Sequence, residues 1–174
     1  LRETFSVMLK YINKSFIINF LIILSIFGLD RFSKAYVISI NEKSLSSDLF
    51  VSKYLNINLI YNEGIAFGLL SFEENYIYQI LTTIIFIIII ILLFMIFRAE
   101  TKKYEKIGLI LIAGGALGNF YDRIIYNAVP DFIDLHIGNF HWFIFNIADI
   151  FITIGVLWLI FLEIISKKKV NNGI

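Results

Sequence analysis

Residues 84–97 read Ile-Ile-Phe-Ile-Ile-Ile-Ile-Ile-Leu-Leu-Phe-Met-Ile-Phe, fourteen apolar side chains without a break. Taken back to Tyr76 the stretch is 22 residues long, enough for a helix to cross a hydrocarbon core of about 30 Å. Lipid offers no hydrogen bonds, so only helices and closed barrels satisfy the backbone there. This run is too long and too continuous for a barrel strand, so it predicts a transmembrane helix. Three weaker stretches flank it. Residues 16–37 are interrupted by charge at Asp30-Arg31 and Lys34, residues 107–122 are short and glycine-rich, and residues 142–165 are broken by Asn146 and Asp149. The expected fold is an all-α membrane protein of one domain, 1–174, with four transmembrane helices at about 16–37, 76–97, 107–122 and 142–165. The segments 38–75 and 123–141 then lie on one side, and Leu55–Tyr61 in the first of them alternates as a strand does. Asn62-Glu63-Gly64 supplies turn chemistry after it. A small β-sheet, followed by a short interfacial helix before residue 76, is expected there.

Composition agrees. Of 174 residues, 59% are hydrophobic and 17% charged, against about 45–50% and about 25% in soluble domains. Disorder is excluded by the same figures. The absence of cysteine excludes a disulfide scaffold, a thiol nucleophile, a Cys-ligated metal and an iron–sulfur cluster. A net charge of +1 gives no electrostatic case for nucleic acid. Ten of the fifteen basic residues fall into three clusters: Arg2, Lys10 and Lys14; Arg98, Lys102, Lys103 and Lys106; and Lys167–Lys169. In a four-helix up-and-down arrangement all three share one side, which the positive-inside rule makes cytoplasmic along with both termini. Residues 16–37 read as a retained anchor, since no small-x-small cleavage site follows them.

Ionisable groups within spans are expensive, about 2.5–3.5 kcal/mol for Asp at a helix centre, and are candidates for function. Asp149 lies seven residues past Trp142, about 10 Å into the fourth span. At helical spacing Asn146 and Thr153 share its face, which must look into the bundle. In the third span Gly114 and Gly118 form a GxxxG packing motif, while Gly115, Asn119 and Asp122 share another face. Asp122-Arg123 reads either as an interfacial ion pair or as a substrate-positioning pair, and Asp30 with Lys34 as a helix-end pair. Asp131 stands between an aliphatic-Pro step and Phe-Ile, a setting that raises a carboxylate's pKa. If Asp131 faces Asp149, one of the pair should keep a proton while the other is ionised. That is the requirement for acid–base attack of water on an amide. Asp134, His136 and His141 suggest a metal, but no HExxH is present and a five-residue spacing in a loop defines no ligand geometry. No metal or other cofactor is expected.

Four pieces occur together in order: Asp30-x-x-x-Lys34; Tyr61-Asn62-Glu63-Gly64-Ile65-Ala66-Phe67-Gly68; Gly114–Arg123 leading to Val129-Pro130-Asp131-Phe132-Ile133-Asp134; and Phe145-Asn146-Ile147-Ala148-Asp149. The set strongly resembles the bacterial lipoprotein signal peptidase (signal peptidase II) family over residues 28–155. The resemblance implies an aspartyl endopeptidase of the cytoplasmic (inner) membrane. Such an enzyme removes the signal peptide from diacylglyceryl-modified prolipoproteins just before the lipid-bearing cysteine, on the extracytoplasmic side. It implies Asp131 and Asp149 as the catalytic pair. It places Asn62, Gly64 and Ala66 on an outer sheet that cradles substrate, and Asn119, Asp122 and Arg123 on the cleft wall. Asn146 and Ala148 then flank the second aspartate, while Asp30 and Lys34 belong to a supporting polar network. Membrane lipids and cyclic peptide antibiotics are the further expected partners, and a monomer is expected because the GxxxG face is used internally. Pro130 stands where an aliphatic residue is commoner in that family. The competing reading from the residues is a small proton- or solute-translocating protein using Asp30, Asp122 and Asp149. Against it, the polar groups collect toward one side of the spans.

Overall fold

The apolar run at residues 84–97 lies in a helix, as its composition demands, and the described residues form three more. The structure, a computed structural model, describes residues 14–44, 48–64, 75–98 and 101–171. In chain order the elements are α1 (Lys14–Lys43), β1 (Asp48–Val51), β2 (Leu55–Asn62), α2 (Asn75–Phe97), α3 (Lys103–Tyr126), β3 (Val129–Ile137), β4 (Phe140–Phe145) and α4 (Ile147–Asn171). The expected interfacial helix falls on residues outside those described.

Helix α1 buries Ile23, Ile26, Asp30, Lys34 and Val37, a stripe recurring every three or four residues, while Phe20, Leu24 and Phe32 face outward. It continues helically to Lys43, six residues beyond the expected end of the span. Three helical stretches are long and apolar enough to cross a bilayer: Lys14–Lys43, Tyr78–Phe97 and Ile147–Lys167. Their outward faces carry large exposed apolar side chains such as Phe86, Ile91, Leu157 and Phe161, as lipid-facing surfaces do. Helix α3 is different. Charges stand at both its ends (Lys103, Glu105 and Lys106; Asp122 and Arg123) and glycines in its middle. It packs against all three other helices, so its neighbours cover what lipid would not tolerate. The structure thus shows the four expected helices, three of them with the composition of a span.

Close packing around α3 depends on small residues. A Cβ at Gly114 would stand 2.7 Å from Ile26 Cβ of α1, and one at Gly118 would overlap the Asp30 carboxylate. On the opposite side a Cβ at Gly115 would meet the Ala148 carbonyl of α4 at 2.5 Å. The GxxxG is therefore internal, holding α1 against α3. Ile23, Ile26, Ile96, Leu109, Ile110 and Ala113 form the apolar core below it.

The strands form one antiparallel sheet in the order β1-β2-β3-β4. The expected strand at Leu55–Tyr61 is β2. The second outer segment, expected as loop, is instead the β3–β4 hairpin, and β4 takes residues 142–145 that were expected to open the fourth span. Gly138, at φ +60°, and Asn139 make its two-residue turn, with Ile137 paired to Phe140. A glycine at the first central position is what such hairpin turns require. Register runs Asn62↔Val129, Tyr61↔Pro130 and Ile60↔Asp131 on one side of β3. On the other side pairing to β4 spans only Ile133–Ile137. Pro130 thus occupies the part of β3 with a single strand partner, where a missing N–H is tolerated.

Candidate active site

Asn146 ends β4 and caps α4. Its Oδ1 accepts from the Asp149 N–H at 3.1 Å, and Asp149 Oδ2 accepts from the Asn146 N–H at 3.1 Å. This is a reciprocal capping box, with the side chains three residues apart. Asp149 therefore sits in the first turn of α4, not two turns deep as the longer expected span implied. Asn146 stands outside the helix, so the expected Asn146–Asp149–Thr153 helical stack reduces to Asp149 and Thr153.

The cap also joins the second carboxylate. Asn146 Nδ2 donates to Asp131 Oδ1 at 2.6 Å and to Asn119 Oδ1 at 3.2 Å. Asn119 Nδ2 donates to Asp149 Oδ1 at 2.8 Å. Asn62 Nδ2 donates to Asp131 Oδ2 at 2.9 Å, and Asn62 Oδ1 accepts the Gly64 N–H at 2.9 Å. Every oxygen of both aspartates is thus held by an amide donor. Both carboxylates line one cavity of about 440 Å³ between α2, α3 and α4, together with Asn62, Asn119, Arg123 and Thr153. Its remaining walls, among them Ile85, Ile88, Ile152 and Val156, are apolar. Burial pushes the Asp131 carboxyl up, and the negative charge of Asp149 pushes it further, to about 6. The Asn62 and Asn146 amides and the Lys34 charge hold it back from rising more.

Behind the cavity lies a fully buried cation. Lys34 Nζ donates to Asp30 Oδ2 at 2.9 Å, Asn119 Oδ1 at 2.8 Å and Asp122 Oδ2 at 2.7 Å, all of them out of solvent. Asp30 Oδ1 accepts the Ala148 N–H at 3.0 Å, which ties α1 to the first turn of α4. Lys34 therefore orients Asn119, which in turn holds Asp149. Asp122 does not line the cavity and does not pair with Arg123; it belongs to the Lys34 cluster, where Arg31 also reaches it. Arg123 does line the cavity, with Nη1 donating to the Asn119 carbonyl at 3.1 Å and Nη2 to the Gly64 carbonyl at 3.3 Å. It fastens the chain leaving β2 to α3. Ala148 is buried at the α3–α4 crossing and does not face the cavity. Ala66 lies outside the described residues. Sequence reasoning missed Arg31, whose guanidinium also lies 4.9 Å over the Tyr121 ring; its place one residue after Asp30 and three before Lys34 was the available signal.

The model for signal peptidase (SPase) II matches residues 22–165. The chain belongs to the signal peptidase II family. It is 49% identical over 159 residues to the lipoprotein signal peptidase of Pelagibacter ubique (strain HTCC1062), covering 91% of this chain and 95% of that one. It is 36% identical over 158 residues to the lipoprotein signal peptidase of Anaplasma phagocytophilum (strain HZ), covering 89% and 97%. A bacterial membrane enzyme solved by the in meso method at 2.3 Å superposes with a TM-score of 0.71 and 33% identity, over 88% of this chain and 90% of that one. Membership in signal peptidase II makes the chain a protease, a hydrolase of signal-peptide processing. The apolar helices and the membrane-enzyme likeness make it a membrane protein.

Proposed function

We propose that this signal peptidase II is an aspartyl endopeptidase that cleaves prolipoproteins immediately before the diacylglyceryl-modified cysteine, with Asp131 and Asp149 as its dyad. The observation that carries this reading is that both carboxylates line one cavity and are bridged through Asn146 and Asn119. In the mechanism the ionised carboxylate takes a proton from water as it attacks the scissile carbonyl. The protonated one gives its proton to the carbonyl oxygen; the first then passes the proton taken from water to the departing amine, while the second recovers its own from the collapsing diol. The raised Asp131 carboxyl supports a pair that shares a proton close to neutral pH. Arg123 and Asn62 stand beside the dyad to hold an extended peptide, and the apolar walls suit a signal sequence.

The same reading makes α3 a fourth span, shielded by its neighbours, with spans near 16–37, 76–97, 107–122 and 147–165. It places the enzyme in the bacterial cytoplasmic membrane as a monomer, termini inside and dyad outside. Cyclic peptide antibiotics then occupy the same cavity. Ion or solute translocation is disfavoured. Asp30, Lys34, Asn119, Asp122, Asp131, Asn146 and Asp149 form one network, while the core at the other end is apolar from Ile23 to Ala113.

The test is cleavage of a lipid-modified precursor by purified protein. Asp131→Asn and Asp149→Asn should each lose essentially all activity while retaining wild-type folding and membrane insertion. Normal cleavage by either variant overturns the dyad. Treatment with a chelator should leave cleavage intact.

A further inference from the structure

The β3–β4 hairpin assembles a group that the peptidase chemistry does not use. His136 and His141 are direct cross-strand partners, their rings stacked at 4.9 Å between centroids. Asp134, two residues before His136 on the same strand, is 3% exposed and places both carboxylate oxygens 2.9 and 3.0 Å from His141 Nδ1. One donor atom from each of the three residues lies within 4.8 Å of the others. None of the three lines the cavity that holds Asp131 and Asp149.

We propose that Asp134, His136 and His141 bind a divalent first-row cation, with Zn²⁺ the best fit. Two imidazoles and one carboxylate are donors that Zn²⁺ prefers, and three protein ligands leave a position for water. The hydrogen bonding of the hairpin points the same way. His136 buries its Nδ1 with no hydrogen-bond partner, so no such bond fixes this ring in its stack over His141. Buried polar atoms of this kind are rare and call for a ligand or water. A cation held by both rings would supply the missing constraint. Asn56 Nδ2, 3.4 Å from Asp134 Oδ2, comes from β2 and steadies the carboxylate from outside the cluster, an arrangement that orients metal ligands. The sequence alone gives these three residues no ligand geometry, because the five-residue spacing becomes adjacency only once Gly138-Asn139 turns the chain. The bound cation would clamp the hairpin whose first strand carries Asp131, so its effect is on stability and not on the chemical step.

The test is titration of tag-free, detergent-purified protein with Co²⁺, followed by its visible d–d absorption and by displacement with Zn²⁺. Wild type should bind one Co²⁺ per chain, and Zn²⁺ should raise its thermal unfolding midpoint. His136→Gln and His141→Gln should each weaken binding about tenfold or more, since even outer partners of metal ligands are worth that much, and should abolish the Zn²⁺-dependent rise. If His141→Gln disturbs the fold by losing its Asp134 contact, His136→Gln, whose Nδ1 has no partner to lose, decides the matter. Wild type that shows no saturable d–d signal, or the same titration as the His136→Gln, His141→Gln double variant, overturns the site. The outcome is independent of the cleavage assay.

Discussion

Asp131 is expensive to keep where it stands. Its carboxyl is 3% exposed and pushed up to about 6, first by burial and then by Asp149. An acid whose folded pKa exceeds its unfolded one stabilises only while protonated. Below about pH 4 both states hold the proton and there is no penalty. Between about pH 4 and the folded value the unfolded chain ionises first, stability falls, and the whole penalty is present above it. Asp131→Asn, which carries no charge, should therefore be more stable than wild type at about pH 8, by up to about 3 kcal/mol, and inactive. That advantage should vanish at about pH 4, as thermal unfolding in detergent at both values will show; an equal difference at both sets the electrostatic account aside. For the wild type the same carboxyl predicts that kcat/KM carries an inflection near 6. A flat profile across that pH removes Asp131 from proton transfer. At this scale the sequence was informative because a charge in an apolar setting is costly wherever it falls, so Asp131 and Asp149 stood out. The partner of Asp122 did not, because Lys34 is 88 residues away and only the α1–α3 crossing brings them together.

Elements were legible where one period dominated and illegible where an apolar run changed character. Trp142–Phe145 has no polar break, so in sequence it merges with the helix that follows. The signals that separate them were Gly138-Asn139, a hairpin turn pair, and Asn146 three residues before Asp149, a capping box. Reading both would have moved the start of α4 to its observed place and lifted Asp149 to the first turn. The Gly114–Gly118 pair of α3, by contrast, is legible in the sequence as a packing motif, and its geometry allows a paired prediction. Gly118→Ala drives a methyl into the Asp30 carboxylate, which is bound to Lys34 and to the Ala148 N–H. Overpacking of this kind costs about 1–3 kcal/mol, and the displaced Asp30 should loosen the start of α4 and lower activity as well. A Cβ at Gly28 meets nothing within 4 Å, so Gly28→Ala should be neutral or stabilising by up to about 1 kcal/mol. Thermal unfolding of the two variants side by side checks this. Equal effects would mean that α1 and α3 do not cross as closely as the glycines indicate.

Along the described helical bundle, the lysines and arginine at the helix ends lie opposite the buried network of the dyad and Lys34, and that separation predicts an orientation. Phe16 of α1 lies against Phe97 of α2, with ring centroids 4.3 Å apart, and Trp158 Nε1 of α4 donates to the Tyr104 carbonyl of α3 at 2.8 Å. Lys14, Arg98, Lys103 and Lys167 therefore belong to one end. The dyad, the Lys34 cluster and the sheet belong to the other. From Asp149 to Lys167 is eighteen residues of helix, about 27 Å at 1.5 Å per residue, close to the thickness of a hydrocarbon core. The carboxylates thus meet one bilayer surface when the basic end meets the other. Positive charge is retained on the cytoplasmic side, so the basic end should be inside and the dyad outside, where an exported, lipid-anchored precursor presents its cleavage site. A phosphatase that works only after export, fused after Ile174, should be inactive, and the same enzyme inserted at Gly138-Asn139 should be active. The opposite pair of results would turn the enzyme round in the membrane and leave the dyad facing the wrong compartment for such a substrate. Activity at both sites would mean that α4 does not cross, since among the described elements it alone lies between the hairpin and the C-terminus.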